Sequence, residues 1–148
     1  MRRFAMRQIM IVGAVVCMLA TLVVMPSTSR GDKNSSRLCA LQMILNARKL
    51  GFKVRNGDFG YLTKGKTKTY KGLLYRGSTY MVVACGDDGV KDLDLYLYKV
   101  RGRNLVAVDS SKDNTPTLSY TPSKSGVYAL QVKMHSGSGN YTIAVLYK

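Results

Sequence analysis

The chain has 148 residues, which is room for one domain, and 46% of them are hydrophobic against 21% charged, a balance that excludes a disordered chain. Lysine and arginine number 23 against 8 aspartates, glutamate is absent, and the formal charge is +15. A charge of this size favours anionic partners. A single histidine argues against a histidine-based metal site or a catalytic triad, and we expect that the protein is not an enzyme.

The N-terminal segment has the order of an export signal, because Arg2, Arg3 and Arg7 precede a mostly apolar run over 9–25 and small residues follow it. We predict that residues 1–29 are a signal peptide, which leaves a mature chain of charge +12. The expected location is therefore secreted, periplasmic or in the cell envelope. The alternative is an uncleaved anchor, because 17 mostly apolar residues are close to the shortest length that spans a bilayer.

The first element predicted after this segment is an amphipathic helix over 35–50. Asn34, Ser35 or Ser36 offers an N-cap, and Gly51 follows the helix as a stop signal. A helix with one apolar face must dock on the rest of the protein. The side chains expected on that face are Leu38, Leu41 and Leu45, with Met43, Ile44 and Ala47 widening it.

From residue 59 onward the hydrophobic period changes to two, with turn residues at spacings near ten. This pattern is typical of an antiparallel sandwich or small barrel, and no intervening stretch has the pattern of a crossover helix. Leu93, Leu95 and Leu97 alternate with polar or aromatic residues, so the strand that holds them offers one face to a core. The predicted strands are 59–62, 67–75, 79–86, 93–98, 105–109, 117–120, 127–134 and 140–147.

Several short motifs follow one another in a set order along this part of the chain. They are Asp92-Leu93-Asp94-Leu95-Tyr96-Leu97-Tyr98, Asn104-Leu105-Val106-Ala107, Pro116, Tyr120-Thr121-Pro122, Ser125-Gly126-Val127-Tyr128 and Gly139-Asn140-Tyr141-Thr142-Ile143. This order resembles the bacterial pre-peptidase C-terminal domain, and the match covers residues 67–145. One hairpin departs from the family pattern, because 99–104 is basic and slightly longer than usual.

The resemblance implies an all-β fold, an antiparallel β-sandwich of jelly-roll type, here preceded by a short N-terminal α-helix. Residues 30–58 would hold the helix and a linker, and residues 59–148 would form the sandwich domain. Domains of this family commonly follow a secreted peptidase, and this chain carries none. The resemblance therefore implies a stand-alone exported module with a binding or stabilising role, and calcium is a candidate cofactor because some members bind it.

Two cysteines remain after the predicted signal peptide, Cys39 in the helix and Cys85 at the end of a strand. In an oxidising compartment the simplest expectation is a disulfide between them. Two buried free thiols are one alternative, and a nucleophilic Cys85 assisted by His135 is another. His135 lies in 134–139, which resembles an exposed hairpin tip, and no third group suggests itself to orient it, which argues against catalysis.

Six of the eight aspartates lie within 27 positions of one another. Asp92 and Asp94 share a face of their predicted strand, and Asp87 and Asp88 lie in the loop before it. These four carboxylates are a candidate calcium site, since Ca²⁺ takes six to eight oxygen ligands. The alternative is that they stabilise turns by accepting local backbone N–H groups and pair with lysine or arginine.

A basic segment with interleaved tyrosines is the candidate for binding polyanions. Its members are Lys64, Lys66, Lys68, Lys71 and Arg76. The alternative is a solvated strand edge whose charges discourage aggregation, with Tyr70 packed inward. The expected partner is a protein, a carbohydrate or a polyanion at the cell envelope, such as anionic lipid, a wall polymer or extracellular DNA. No nucleotide site is expected, and membrane contact is expected only through the N-terminal segment if it is uncleaved.

Overall fold

The computed structural model describes residues 32–148. The predicted signal peptide therefore lies outside the described residues. The described chain forms an antiparallel β-sandwich with one helix, which confirms the predicted all-β class. The elements are α1 (Lys33–Lys49), β1 (Lys53–Thr63), β2 (Thr67–Leu74), β3 (Tyr80–Gly86), β4 (Val90–Lys99), β5 (Asn104–Asp109), β6 (Thr117–Tyr120) and β7 (Gly126–Tyr147).

β7 organises the sandwich, because its 22 residues pair with four other strands. Its first half, up to Gly137, lies between β2 and β4, and β5 extends that sheet beyond β4. Its second half, from Ser138, lies between β1 and β3, and β6 pairs with β3. We call the sheet of β2, β4, β5 and the first half of β7 the far sheet. The sheet of β1, β3, β6 and the second half of β7 is the helix-side sheet, since α1 packs on it.

The two last predicted strands are therefore one strand, and the predicted hairpin tip over 134–139 is wrong. Met134 is fully buried, and Val90 pairs with Gly137 while Thr63 pairs with Ser138. The glycines that suggested a turn instead serve the change of sheet. Gly137 has a φ of +85°, and a Cβ atom there would meet the backbone of Gly89 and Lys91.

The main core lies between the two sheets. Leu93, Leu95 and Leu97 point into it, as the alternation predicted, and Tyr70 packs against its edge. Leu130, Val132 and Met134 of β7 lie beside these leucines in the far sheet, as their pairing partners. The side chains that face them from the helix-side sheet are Tyr80, Val82, Leu118, Tyr141 and Ile143. Burial of such side chains supplies most of the stability of a sandwich of this size.

The predicted docking face of α1 is wrong for its three leucines, whereas Met43, Ile44 and Ala47 do pack on the sheet. Leu38, Leu41 and Leu45 are 67%, 50% and 42% exposed, whereas the helix faces the sheet with small residues. Ser36, Ala40 and Ala47 are the buried positions, and partly buried Met43 and Ile44 flank them. Small side chains allow the helix to approach the sheet closely enough for Ser36 Oγ to lie 3.1 Å from Thr142 Oγ1.

The start of α1 also differs from its prediction. The N-cap is Asp32, whose side chain accepts a hydrogen bond from Asn34 N at 2.9 Å, and not one of the three predicted caps. The C-terminal end follows the expected rule, since Gly51 adopts a φ of +87° directly after the Leu50 cap.

On one side of the sandwich, the side chain of Asp109 connects β5 in the far sheet to β6 in the helix-side sheet. Asp109 Oδ2 accepts a hydrogen bond from Thr117 N at 2.7 Å, and Oδ1 accepts from Ser111 N and Oγ. Burial alone would raise the pKa of Asp109, but these hydrogen bonds outweigh it and hold the pKa below its ordinary value. The opposite side, between β1 and β2, is the side on which the candidate site lies.

Candidate functional site

An apolar cavity of about 90 Å³ opens between the edges of β1 and β2. The two strands follow one another in the chain, yet they pair with different halves of β7 and so belong to different sheets. A smaller cavity of about 50 Å³ lies beside it and shares Asn56, Tyr70, Leu130 and Val145 with its lining. The apolar walls of the larger cavity are Leu74, Tyr80, Val82, Leu97, Leu118, Tyr128, Leu130 and Val145.

Arg55 brings a positive charge to this cavity. The register between β1 and β7 shifts between Val54 and Asn56, so Arg55 is the extra residue of a β-bulge. Its guanidinium carbon lies 5.6 Å from the ring centroid of Tyr80, which lines the same cavity. The β-bulge therefore places the guanidinium of Arg55 beside the apolar cavity between β1 and β2.

A hydrogen bond between two tyrosines connects the two sheets beside this cavity. The hydroxyl oxygens of Tyr70 on β2 and Tyr141 on β7 lie 2.8 Å apart. Burial, the contact between them and the nearby carboxylate of Asp58 raise the pKa of Tyr70 far above its ordinary value, and burial raises the pKa of Tyr141. Both phenols therefore stay protonated at neutral pH, and the ring of Tyr141 fills the space that a side chain at Gly60 would need.

The predicted disulfide between Cys39 and Cys85 is confirmed. It joins α1 to β3 across 46 residues with the Cα atoms 6.1 Å apart. Cys85 is therefore not a free thiol, which excludes the Cys85–His135 nucleophile in this state. A disulfide is compatible with an oxidising compartment outside the cytoplasm.

Asp87 is a buried turn residue. Its Oδ1 accepts a hydrogen bond from Gly89 N at 3.0 Å, and its Oδ2 accepts from Asn140 N and Nδ2, both at 2.8 Å. Asp88 is exposed beside it. The carboxylate of Asp87 thus connects the β3–β4 loop to β7. This is the role expected if the aspartates stabilise turns by accepting backbone N–H groups, the alternative to a calcium site.

Asp92 and Asp94 flank the core-facing Leu93 on β4, and both are buried. Asp94 Oδ2 accepts a hydrogen bond from Tyr96 Oη at 2.9 Å and lies 3.9 Å from His135 Nδ1, while Asp92 Oδ1 has no hydrogen-bond partner. Burial, followed by the contact with Asp94, raises the pKa of Tyr96 to about 12. Within residues 32–148 no three His, Cys, Asp or Glu side chains converge as metal ligands, and calcium stays a prediction.

The predicted polyanion-binding residues are spread along one edge. Lys64 and Lys66 lie in the turn between β1 and β2, Lys68 and Lys71 lie on β2, and Arg76 follows that strand. All five side chains are exposed. Because strand side chains alternate, Lys68 lies on the side of Tyr70, with its Nζ 6.0 Å from that ring, and Lys71 lies on the other side.

Sequence reasoning missed Arg55 and the cavity. The bulge depends on a register shift between β1 and β7, which are about 90 residues apart in the chain, and no local pattern records such a shift. Of the apolar residues that line the cavity, Leu97 was predicted to face the core, and the alternation around it does not show that one seam of the core is left open.

No family model matches the chain, and no curated protein matches it. The resemblance to the pre-peptidase C-terminal domain therefore stays a prediction from motifs. In the part of the chain that the structure describes, no helix is both long and apolar enough to cross a membrane.

Proposed function

We propose that this protein is an exported, non-catalytic β-sandwich module that binds an amphiphile, a molecule with a short apolar chain and an anionic group. The observation that carries the proposal is the apolar cavity between β1 and β2 with Arg55 beside it. The N-terminal arginines and apolar run, the disulfide and the resemblance to the pre-peptidase C-terminal family support export as a stand-alone module.

The size and lining of the cavity define the apolar part of the ligand. An apolar cavity of about 150 Å³ binds benzene in another protein, so about 90 Å³ accommodates a few methylene groups. Aliphatic and aromatic walls favour a hydrocarbon chain over a sugar, because a sugar would leave its hydroxyl groups without hydrogen-bond partners.

Arg55 defines the polar part. A guanidinium binds carboxylate or phosphate groups through paired hydrogen bonds, and the Arg55 side chain is exposed at the mouth of the cavity. A ligand with its chain between the sheets would place its anionic group at the bulge. Octanoate is a suitable probe if the end of its chain enters the cavity and the rest lies along the open seam between β1 and β2 towards Arg55, and octanol is the matched neutral probe.

We expect octanoate to raise the melting temperature of the protein and to bind with a measurable heat in calorimetry. Arg55→Gln is expected to weaken octanoate binding about tenfold, since a charge-assisted hydrogen bond contributes about 1.5 kcal/mol, and to leave octanol binding unchanged. Val145→Phe is expected to abolish binding of both probes, because the added ring occupies the cavity.

Arg76→Gln is the control for charge, since Arg76 is an exposed basic residue outside the cavity lining. Failure of octanoate to bind, or equal binding by the Val145→Phe protein with its melting temperature preserved, would contradict the proposal. Equal losses for Arg55→Gln and Arg76→Gln would show that total charge, and not the bulge, attracts the probe.

A second function, binding of polyanions, is favoured by one observation. Within residues 32–148 the one ion-pair contact is between His135 and Asp94, so no lysine or arginine there is neutralised by a carboxylate within 4 Å. Binding to heparin or DNA through these cations is expected to weaken steeply with salt, because counterion release drives it. A salt titration of the retention of the protein on heparin measures this, and binding unchanged between 50 and 500 mM salt (about 14 to 4 Å of screening length) would contradict it.

A further inference from the structure

The outer face of α1 carries three leucines that no part of the described chain covers. Leu38, Leu41 and Leu45 lie at intervals of three and four residues, so they form one stripe along the helix. They point away from the helix-side sheet, which the helix meets with Ser36, Ala40 and Ala47. Exposed single leucines are common on protein surfaces, but three in a row on one helix mark an interaction surface.

Basic side chains flank this stripe. At about 100° per residue, Arg37 and Arg48 lie on one side of the leucines and Lys49 lies on the other. The guanidinium of Arg37 lies over the exposed ring of Phe59 on β1, with its carbon 4.4 Å from the ring centroid. The helix contains no acidic residue between Lys33 and Lys49. An apolar stripe bordered by cations is the arrangement of helices that lie in the surface of an anionic bilayer.

We propose that the outer face of α1 lies on the surface of an anionic lipid bilayer, with the three leucines in the boundary between head groups and acyl chains. Leucine side chains on such a face enter the membrane by about 5–10 Å, while the flanking arginine and lysine side chains stay at the level of the phosphates. This inference does not depend on the cavity between β1 and β2, and it adds a membrane contact beyond the predicted N-terminal one.

The basic residues beside the leucines favour an anionic bilayer over a groove of a partner protein as the occupant of this face. Arg37 lies beside the start of the stripe and Arg48 and Lys49 lie at its end, so an occupant must present negative charge at both ends of an apolar surface. An anionic leaflet has this property everywhere. The apolar run over 9–25 also ends only eight positions before Lys33, a distance of at most about 28 Å, so a retained segment would hold α1 at the bilayer.

The chain contains no tryptophan, so one introduced tryptophan reports a single position in the full-length protein. We expect the emission of Leu41→Trp to move to shorter wavelength with phosphatidylglycerol vesicles and to be quenched by brominated acyl chains. Phosphatidylcholine vesicles are expected to cause no shift, because they lack net charge. Val108→Trp on β5, at a position 48% exposed against 50% for Leu41, is the matched control and is expected to show no shift.

The flanking charges supply the second readout. In the Leu41→Trp protein, changing Arg37, Arg48 and Lys49 to glutamine is expected to raise the lipid concentration for half-maximal shift roughly 100-fold, because each basic residue near an anionic leaflet contributes about fivefold. The melting temperature of this variant checks that the sandwich is intact.

Three outcomes would overturn the proposal. The first is an emission of Leu41→Trp that stays unchanged on phosphatidylglycerol vesicles that nevertheless sediment the protein, since another segment would then make the contact. The second is an equal shift of Val108→Trp. The third is an emission of Leu41→Trp that is already at short wavelength without vesicles, since the 9–25 segment or a second copy would then cover the face.

Discussion

Removing the disulfide, with Cys39→Ala and Cys85→Ala together, is expected to lower the free energy of unfolding by about 3–4 kcal/mol. The bond closes a loop of 46 residues, and a crosslink of that span removes a large part of the conformational freedom of the unfolded chain. Denaturant titrations of the oxidised protein and of the double variant measure the difference.

The two single variants and the reduced protein test the same effect. Each is expected to match the double variant to within about 1 kcal/mol, because the crosslink is lost in all of them. Cys17→Ala, which removes a cysteine from outside the described residues, is the control and should leave the stability unchanged. A loss below about 1 kcal/mol in the double variant would mean that packing of α1 alone holds the helix in place.

The strands from β2 to β6 were predicted well because their signals are local. In β4 the leucines alternate with polar residues, and glycine, asparagine or aspartate marks most ends, so neither the face nor the bounds depend on distant contacts. The cysteine pairing was likewise predictable, since it needs only two cysteines in an oxidising compartment.

The errors come from contacts that no local pattern contains. Leucines at helical spacing normally face the core, yet Ala40 and Ala47 do so here because α1 approaches the sheet closely and the disulfide at Cys39 fixes its rotation. The Ser136–Gly139 stretch has turn composition, yet β7 continues through it because β1 and β4 pair on either side of the change of sheet.

The start of β1 was missed for a similar reason. The strand begins at Lys53, six residues before the predicted 59, and most of its residues are exposed, so the alternation that marks a strand is weak. Its pairing with the buried end of β7 determines that it is a strand at all. The candidate site was not predicted for the same reason, because the bulge at Arg55 lies in the part of β1 that the sequence analysis did not recognise as a strand.

The turn that holds the β3–β4 loop is expected to depend on one carboxylate. Asp87→Ala should lower the free energy of unfolding by about 3 kcal/mol, because Asp87 is 1% exposed and its loss leaves three N–H donors without their acceptor. Two of those donors belong to Asn140, so the side-chain link between the loop and β7 is lost, while the backbone hydrogen bonds from Asp87 N to Asn140 O and from Ser138 N to Gly89 O remain. Asp87→Asn should cost less, since an amide oxygen still accepts part of these hydrogen bonds.

Asp88→Ala is the matched control, because the Asp88 side chain is exposed and only its backbone oxygen makes a contact, accepting from Lys91 Nζ at 2.8 Å. Its effect should stay within about 0.5 kcal/mol. The same melts in chelator and in millimolar calcium separate the two interpretations of the aspartates. If hydrogen bonding explains Asp87, the loss in Asp87→Ala is equal in both buffers. If the carboxylates bind calcium, the unsubstituted protein gains stability with calcium by mass action and Asp87→Ala does not, which would contradict the turn interpretation.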